Sequence, residues 1–349
     1  MKLIVVGGGP AGMIAAIKAK ELNPNANVLL LEKNEKLGKK LFITGKGRCN
    51  VTNNCSKEVF INSIVSNPKF MFASFDNFNN IDCMDFFTAN GCPLKTERGG
   101  RVFPVSDKSS DVIKCLEKKL KQLSVEIYLN TVVNSISKQN NQFLLKTNTI
   151  DFASDKLILA TGGNFYAATG SNGEGYVFAS SFGHTIVAPK PSLIGFRTYQ
   201  KHDLAGLTLK NVSVSLYRDN KLIATEFGEL LFTHKGVSGP TILTLSTRFQ
   251  QESGKYYILI DLKPALNYDV LDKRILRDFD EQLNKELKNS LNALLPSSLA
   301  KYVLKISKIN VSKQVNSVTV QERKTLLTII KQLRFDLTEV DNPDSAIIT

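Results

Sequence analysis

The chain has 349 residues, of which 42% are hydrophobic and 22% are charged, as in a globular protein long enough for two or three domains. No run of 18 apolar residues occurs, which excludes a transmembrane helix, and the glycine-broken N-terminus lacks the cleavage pattern of a signal peptide. Five cysteines without a C-x-x-C pair argue against a disulfide framework or a zinc site, and they predict a protein of the reducing cytoplasm.

The positive charge of the chain is unevenly distributed. The formal net charge is +13, and between Lys263 and Phe335 there are 14 lysines and arginines against 7 aspartates and glutamates. A positive excess of this kind attracts phosphate backbones or an anionic surface. The segment therefore predicts either a nucleic-acid partner or the solvated face of a set of helices.

The N-terminal stretch has the pattern of a dinucleotide-binding unit. An apolar run at Leu3–Val6 predicts a buried parallel strand, and Gly7, Gly9 and Gly12 follow it in G-x-G-x-x-G spacing. An alanine-rich helix and a second apolar strand come next, and that strand ends on Glu32. The glycines permit a tight turn, close approach to a pyrophosphate and close helix packing, while the acid can accept a hydrogen bond from a ribose hydroxyl. With every part present, the pattern predicts an adenine dinucleotide site rather than an ordinary glycine-rich turn.

Three later segments predict further contacts to a ligand. A basic loop follows Glu32, and its part Gly45–Asn50 brings small residues, a guanidinium, a thiol and an amide into one turn, which suits a flavin or a substrate. A solvated loop is the alternative. Lys156–Gly163 predicts a buried strand that ends in Ala-Thr-Gly-Gly, and Thr169–Tyr176 adds three glycines at the start of a helix. Glycine-rich strand ends that converge on one place predict a binding crevice.

The remaining segments predict a two-part chain. After a helix at Ser109–Leu123, three apolar runs predict a small antiparallel meander: Val125–Leu129, Val132–Ser137 and Gln142–Lys146. From Pro189 the sequence becomes β-rich, and residues 269–335 have helical spacing, with Val270–Leu294 as one helix. We therefore predict a first domain over 1–188 and an inserted domain over 189–342, made of a β-rich part (189–262) and a basic helical part (263–335).

Together, these motifs resemble the HI0933-like or YhiN-like family of NAD(P)/FAD-dependent oxidoreductases, flavoproteins that include aminoacetone-oxidase-like members. The motifs stand in the order of the family and cover essentially the whole chain. They are GGGPAG at 7–12, GKKL at 38–41, GKGRCNVTN at 45–53, GRVFPVS at 100–106, ATGG at 160–163, TGSNGEGY at 169–176 and GELLFTHKGVSGP at 228–240.

The resemblance implies an α/β fold, namely a FAD-binding Rossmann-like domain of the two-dinucleotide type with an inserted β-barrel-like and helical domain. It implies non-covalent FAD as cofactor and NAD(P)H as electron donor. It also implies that a closing segment lies beyond residue 349 and that 343–349 begins the return strand to the first domain. The residues expected to bind FAD are Gly7, Gly9, Pro10, Ala11, Gly12, Glu32, Lys33, Lys39, Lys40, Gly45, Gly47, Arg48, Cys49, Asn50, Val133, Ala160, Thr161, Gly162, Gly163, Gly170 and Gly173.

The chemistry is expected to be carried by the flavin, because no Ser-His-Asp order, paired-carboxylate motif or metal cluster competes with it. A reductase also needs a proton donor and a group that polarises the acceptor. The candidates, each also explained by a structural role, are Arg48, Cys49, Arg101, His234 and Ser238. His184 and His202 are expected to serve the fold or the surface.

Relatives of the family suggest two substrates for a reductase of an electron-poor C=C bond. The leading prediction is a uridine of large-subunit ribosomal RNA, reduced to dihydrouridine, because a basic helical insert suits a phosphate-rich partner. A steroid enone of the bile-acid type is the first alternative. A non-catalytic flavin-binding protein associated with RNA is the second. Neither a membrane nor a metal is expected as a partner.

Overall fold

The computed structural model describes residues 1–249 and 254–349, and the chain divides into two compact units. The first unit is Met1–Lys190 with Thr349, and the second is Pro191–Ile348. Residues 250–253, which belong to the predicted β-rich part, lie outside the described residues. Within the described ranges, no helix is long and apolar enough to cross a membrane.

The first unit is built on a parallel sheet. Its strands and helices, in chain order, are β1 (Lys2–Val6), α1 (Pro10–Leu22), β2 (Asn27–Leu31), α2 (Lys39–Ile43), β3 (Thr52–Asn53), α3 (Lys57–Asn62), α4 (Phe72–Asn77), α5 (Asn80–Ala89), β4 (Leu94–Thr96), β5 (Arg101–Pro104), α6 (Ser109–Gln122), β6 (Glu126–Tyr128), β7 (Val133–Gln139), β8 (Gln142–Thr147), β9 (Phe152–Ser154), β10 (Lys156–Leu159) and α7 (Glu174–Ser181). The parallel sheet has the order β10-β1-β2-β6.

The parallel strands are apolar along their length because both faces of the sheet are covered. Leu3 and Val5 pack with α1 and α6 on one face, whereas Ile4 and Val6 pack on the other face with the antiparallel sheet β7-β8-β9 and with Phe178 of α7. This alternation follows from the two-residue period of a strand. The sheet therefore directs its carboxyl ends, where β1, β2 and β10 stop, toward the loops that the motifs occupy.

One strand of the predicted meander belongs to a different sheet. Glu126–Tyr128 pairs in parallel with β2, through Leu30 opposite Ile127, so it extends the parallel sheet. The antiparallel sheet takes β9 as its third member, paired with β8. The predicted strand is confirmed at Glu126–Tyr128, but its place in the antiparallel meander was wrong. Strand partners are set by tertiary packing, which a local apolar run does not encode.

The second unit is a closed barrel with helices. Its elements are β11 (Phe196–Thr198), β12 (Thr208–Arg218), β13 (Lys221–Phe232), β14 (Gly236–Ser238), α8 (Pro240–Ser246), β15 (Tyr256–Asp261), α9 (Tyr268–Asp280), α10 (Ser297–Ser307), α11 (Val320–Lys331) and β16 (Leu333–Val340). The barrel strands follow the order β11-β14-β13-β12-β15-β16. Phe196, Phe232 and Phe335 are fully buried. The parallel sheet and this barrel confirm the predicted α/β class.

The helical part differs from its prediction at two places. Helix α9 ends at Asp280 instead of continuing to Leu294, and three acids (Asp278, Asp280 and Glu281) stand at its C-terminal end, where the helix dipole disfavours negative charge. The last helix ends at Lys331, because Leu333 and Phe335 turn inward as part of a barrel strand. The predicted return segment 343–349 holds a short 3-10 turn at Pro343–Ser345, and Ile348 bridges to Ser192 inside the second unit.

Candidate FAD site in the first unit

The turn between β1 and α1 requires glycine at two positions. Gly7 has a φ of 110°, and a Cβ atom on it would lie 2.4 Å from the carbonyl oxygen of Ala160. A Cβ atom on Gly12 would lie 1.8 Å from the carbonyl oxygen of Gly7. The two glycines therefore let the start of α1 and the end of β10 touch the same turn. The amide of Ala160 donates to the carbonyl of Val6 at 2.8 Å, which fixes the two strand ends side by side.

The middle glycine of the motif faces open space. No atom lies within 4 Å of the position that a Cβ on Gly9 would take. Gly9 is the N-cap of α1 and offers no side-chain cap, and Pro10 and Ala11 at the helix start are exposed. An uncapped helix N-terminus presents amide groups and a positive dipole end to an anion. The space in front of Gly9 therefore suits a pyrophosphate.

The acid that ends β2 is buried and already oriented. Glu32 is 8% exposed, and its Oε2 accepts from the amide of Gly8 at 2.6 Å. Its Oε1 accepts from the backbone amide and the side-chain amide of Asn34, at 2.8 and 2.6 Å. A carboxylate oxygen can accept two hydrogen bonds. Oε2 accepts one from Gly8, so it can accept a second from a hydroxyl group. These bonds fix the carboxylate beside the glycine turn, where a ribose would be recognised.

The loop after Glu32 is tied to the loop before α7. The Nζ of Lys33 donates to Asn172 at 3.0 Å and to Glu174 at 2.7 Å, and the Nζ of Lys40 donates to the carbonyl of Phe165 at 2.8 Å. Burial acts to raise the pKa of Glu174, but the hydrogen bonds from Lys33 and Asn172 outweigh it and leave that pKa below its usual value. Burial lowers the pKa of Lys40. These two lysines hold the loops together, so neither is a free cation for a phosphate.

The predicted flavin loop, Gly45–Asn50, has two residues other than glycine in the left-handed region of the backbone. Lys46 and Cys49 have positive φ values, 58° and 60°, which residues other than glycine seldom adopt. The amide of Cys49 donates to the carbonyl of Thr44 at 3.1 Å. Cys49 is 1% exposed, and burial raises the pKa of its thiol. This thiol is therefore protonated at neutral pH and enclosed by the core, which suits a structural role better than proton transfer to a substrate.

The guanidinium of Arg48 is neutralised by two carboxylates. Its Nε donates to Asp107 at 2.8 Å, its Nη2 donates to Glu97, and its Cζ lies 4.1 Å from the centre of the Phe103 ring. Lys95 completes the cluster with an Nζ 2.5 Å from Asp107. The hydrogen bond to Glu97, followed by that to Asp107, raises the pKa of Arg48. Arg48 thus anchors the flavin loop to β5 and the turn after it.

The structure separates the five candidate catalytic residues between the two units. Arg48, Cys49 and Arg101 lie in the first unit, where Arg101 is exposed and its Nε donates to the carbonyl of Arg98 at 3.3 Å. His234 and Ser238 lie in the second unit, the first exposed before β14 and the second half-buried at its end. Of the histidines expected to serve the fold, His202 packs edge-on against Phe232 at 5.2 Å, and burial lowers its pKa.

The remaining predicted FAD residues fall into two groups. Those in the segments that follow the carboxyl ends of β2 and β10 along the chain are Lys39, Gly45, Gly47, Asn50, Thr161, Gly162, Gly163, Gly170 and Gly173. Lys39 donates to Asn34 at 3.3 Å, and a Cβ on Gly170 would lie 2.8 Å from the same side-chain amide. Val133, which forms the second group, starts β7 and is buried as a whole residue.

Sequence reasoning missed the partners of Arg48. Glu97 and Asp107 are 49 and 59 residues away from it along the chain, and single acids in loops give no local signal. Among the described residues, no group of three or more His, Cys, Asp or Glu side chains is suited to a metal ion. The glycine turn, the open helix start and the oriented Glu32 fit the ADP half of FAD.

Comparison with known proteins assigns the family. Residues 1–263 match the profile of the HI0933-like protein Rossmann domain, and residues 190–348 match that of the HI0933-like protein barrel and H2TH domain. The chain belongs to the HI0933-like family. As a member of it, the chain is an FAD-dependent oxidoreductase with a flavin-binding Rossmann domain.

Two similar proteins have names that state an activity. The chain is 27% identical over 347 residues to the 3-dehydro-bile acid delta(4,6)-reductase of Clostridium scindens, which covers 98% of this chain and 84% of that protein. It is also 27% identical over 341 residues to the ribosomal RNA dihydrouridine synthase of Escherichia coli, with 95% of this chain and 80% of that protein covered. A crystal structure of CtdE with FAD and a substrate is similar over 62% of this chain and 45% of that one, with 14% identity and a TM-score of 0.33.

Proposed function

We propose that this HI0933-like protein is an NAD(P)H-driven reductase of an electron-poor C=C bond, and that its substrate is a uridine of large-subunit ribosomal RNA. The observation that carries the choice of RNA is the positive surplus of one segment of the second unit, from Lys263 to Phe335, which has twice as many basic as acidic residues. The similarity to a ribosomal RNA dihydrouridine synthase supports it. The product would be dihydrouridine.

We propose a division of roles between the two units. In the first unit, Gly7, Gly9 and the start of α1 would hold the pyrophosphate of FAD, and Glu32 would hold its ribose. The flavin, when bound, supplies the hydride for reduction of the double bond. The second unit would hold the RNA.

The chain's own residues differ in what they can contribute to catalysis. Arg48 and Cys49 are held in the flavin loop by Glu97, Asp107 and Thr44, so their role would be to position that loop. Arg101 and His234 are exposed and not neutralised by a carboxylate among the described residues, which suits contact with a substrate. We propose them as separate candidates, one in each unit, for the group that polarises the acceptor or supplies the proton.

The test uses ribosomal RNA from a strain that lacks the dihydrouridine modification. The purified holoprotein is incubated with this RNA and NADH or NADPH without oxygen, and nucleosides are then analysed by mass spectrometry. We expect a new nucleoside two hydrogens heavier than uridine. RNA that already carries the modification serves as the control and should not accelerate NAD(P)H oxidation. The proposal fails if no dihydrouridine forms with either donor.

A steroid enone is the second candidate substrate, and one structural observation favours it beyond the relative's name. The second unit has a cleft of about 620 Å³ lined mainly by apolar side chains, including Phe227, Leu262 and Leu266. Phe227 is 60% exposed there. Enone-dependent NAD(P)H oxidation in the same assay, without dihydrouridine, would favour this function over RNA. Absence of any oxidation with both substrates would contradict both.

A further inference from the structure

A second cleft in the same unit has a different chemistry. It has a volume of about 540 Å³ and lies where the loop after β11, the turn before β14 and helix α10 meet. We call it the basic cleft and define it by Tyr199, Lys201, Asp203, His234, Lys235 and Lys305.

The lysines of the basic cleft carry uncompensated charge. Lys201, Lys235 and Lys305 are exposed, and none of them forms an ion pair with any described residue. Arg197, which also lines the cleft, is already paired with Glu339 at 2.7 Å and with Asp341 at 3.4 Å. Asp203 is the one acidic residue of the described lining. Three free ammonium groups around one cleft repel each other unless an anion lies between them.

The positive charge continues from the cleft along α10. Lys301 and Lys305 are four residues apart, so they share one face of the helix, and Lys308 follows as its C-cap, with a φ of 59°. At about 1.5 Å per residue, Lys301 and Lys305 are roughly 6 Å apart along the helix axis. All three are exposed, whereas Leu299, Val303 and other residues of the opposite face are buried. The face is therefore a row of cations with no acidic partner in the described chain.

An aromatic platform stands beside these cations. Tyr199 is 78% exposed, although its backbone is fixed by an amide that donates to the carbonyl of Asp336 at 2.8 Å. The neighbouring Gln200 exchanges two hydrogen bonds with Asp336, at 2.6 and 2.8 Å. An exposed ring on a fixed backbone suits stacking on an unpaired base, and free lysines suit phosphates.

We propose that the basic cleft and the row Lys301–Lys305–Lys308 form the docking surface for a single-stranded segment of RNA. Lysines would contact successive phosphates, and Tyr199 would stack on one base, which is accessible only where the strand is unpaired. A duplex offers no free base face to the ring, so the geometry selects a loop or an end. This inference rests on the RNA half of the proposed function and assigns the residues that would carry it.

The experiment compares two triple variants of the holoprotein that lose the same charge. The test variant is Lys201→Gln/Lys235→Gln/Lys305→Gln. The control is Lys210→Gln/Lys221→Gln/Lys285→Gln, which changes three exposed lysines of the same unit outside the cleft. Binding of a fluorescently labelled single-stranded RNA is measured by anisotropy over a series of salt concentrations. Circular dichroism melting establishes that both variants are folded.

We expect the test variant to lose affinity and salt dependence together. Each phosphate contact on a single strand contributes roughly 0.7 to the slope of log affinity against log salt, so three contacts remove about 2 from that slope. Since 0.1 M is tenfold below 1 M salt, a slope smaller by about 2 corresponds to an affinity on the order of a hundredfold lower at about 0.1 M salt. The control should stay within about twofold of the parent, because separate surface charges at this salt are largely screened. Equal losses in both triples would overturn the inference.

A second pair of variants tests the platform. Tyr199→Ala should weaken binding about tenfold or more, since stacking on an aromatic ring is sequence-tolerant but requires the ring, and Tyr199→Phe should bind as the parent does. Unchanged binding by Tyr199→Ala would remove the base contact from the inference. Anionic phospholipid vesicles are assayed in parallel. Vesicle binding that depends on the three lysines, without RNA binding, would overturn the inference in favour of a membrane surface.

The outcomes separate this inference from the proposed function. If the protein makes dihydrouridine and the test triple does so at the parent's rate and KM, the function stands and the docking surface is wrong. If no dihydrouridine forms but the test triple alone loses RNA affinity, the surface stands and the reaction is wrong.

Discussion

At the scale of single residues, two glycines of one motif have opposite surroundings. Gly9 has a φ of −75° and open space at its Cβ position, so alanine fits the protein there. Gly12 has the carbonyl of Gly7 1.8 Å from that position. We therefore expect Gly9→Ala to leave the apoprotein as stable or about 0.4–1 kcal/mol more stable, but to weaken FAD binding about tenfold or more by obstructing the pyrophosphate.

Gly12→Ala is the matched comparison. Its methyl group must displace backbone, so we expect the apoprotein to lose about 1–3 kcal/mol or more of stability. Thermal unfolding of both apoproteins and titration with FAD give the two quantities. If Gly9→Ala binds FAD normally, the pyrophosphate does not approach this residue, and the assignment of the ADP half to this turn is wrong.

A second prediction at this scale concerns the pH dependence of the Arg48 cluster. Hydrogen bonds from Lys95 and then from Arg48 lower the pKa of Asp107 in the folded protein. The carboxylate therefore stabilises the fold above its unfolded pKa of about 4, and this contribution is lost as the pH falls through the lower folded value. Asp107→Asn should lower the melting temperature at neutral pH and have progressively less effect below about pH 4.

The substitution itself is compatible with the backbone, because Asp107 has a φ of 57° and asparagine adopts that conformation readily. Melting temperatures of both proteins are recorded across the acidic range. A difference that stays constant down to about pH 3 would show that the charge of Asp107 is not what stabilises the loop.

At the scale of elements, local patterns predicted what local physics determines. The strand, glycine turn, helix and acid at 1–32 form one βαβ unit, whose parts follow one another within a short stretch of sequence. The pairing of Glu126–Tyr128 with β2 and the inward turn of Leu333 depend on partners far along the chain. The ion pairs of Arg48 and the basic cleft are likewise assembled from distant loops, so spacing alone could not place them.

The contact between α11 and the strand before the helices yields an element-scale prediction. The Nζ of Lys331 lies 2.5 Å from Asp261 and donates to the carbonyls of Lys263 and Leu266, at 3.2 and 2.7 Å, with 8% of the side chain exposed. Lys331→Met would leave the Oδ2 of Asp261 and the carbonyl of Leu266 without this donor, whereas the carbonyl of Lys263 would still accept from the amide of Leu266. We expect a loss of about 3 kcal/mol in the free energy of unfolding, measured with urea.

Lys324→Met is the control for this change, because Lys324 is exposed on the same helix and forms no ion pair among the described residues. It should alter stability by no more than about 0.5 kcal/mol. Equal effects of the two substitutions would show that the buried contacts of Lys331 are not what joins α11 to the end of β15.

At the scale of the whole molecule, the net charge of +13 divides into +8 in the first unit and +5 in the second, so the pairing of individual charges is more informative than the total. In the first unit, Arg48, Lys33 and Lys95 are each paired with a carboxylate. In the second unit, Lys201, Lys235 and Lys301 have no such partner in the described ranges. Fixed, paired charges keep loops in place, whereas free charges remain available to an anionic partner.

This distribution predicts separate footprints for the two ligands. In hydrogen exchange followed by mass spectrometry, FAD should slow exchange in peptides that contain 7–12, 32–50 and 160–176, because bound ligand removes local opening of the loops it touches. Single-stranded RNA should slow exchange around 199–203, 234–235 and 301–308, with little change at the glycine turn. The segment 210–221, on the barrel wall, serves as the internal control for both. Protection of the barrel by FAD, with free exchange at 7–12, would show that the cofactor binds elsewhere. Protection of 7–12 by RNA, rather than of the basic cleft, would show that the two ligands are not assigned correctly to the two units.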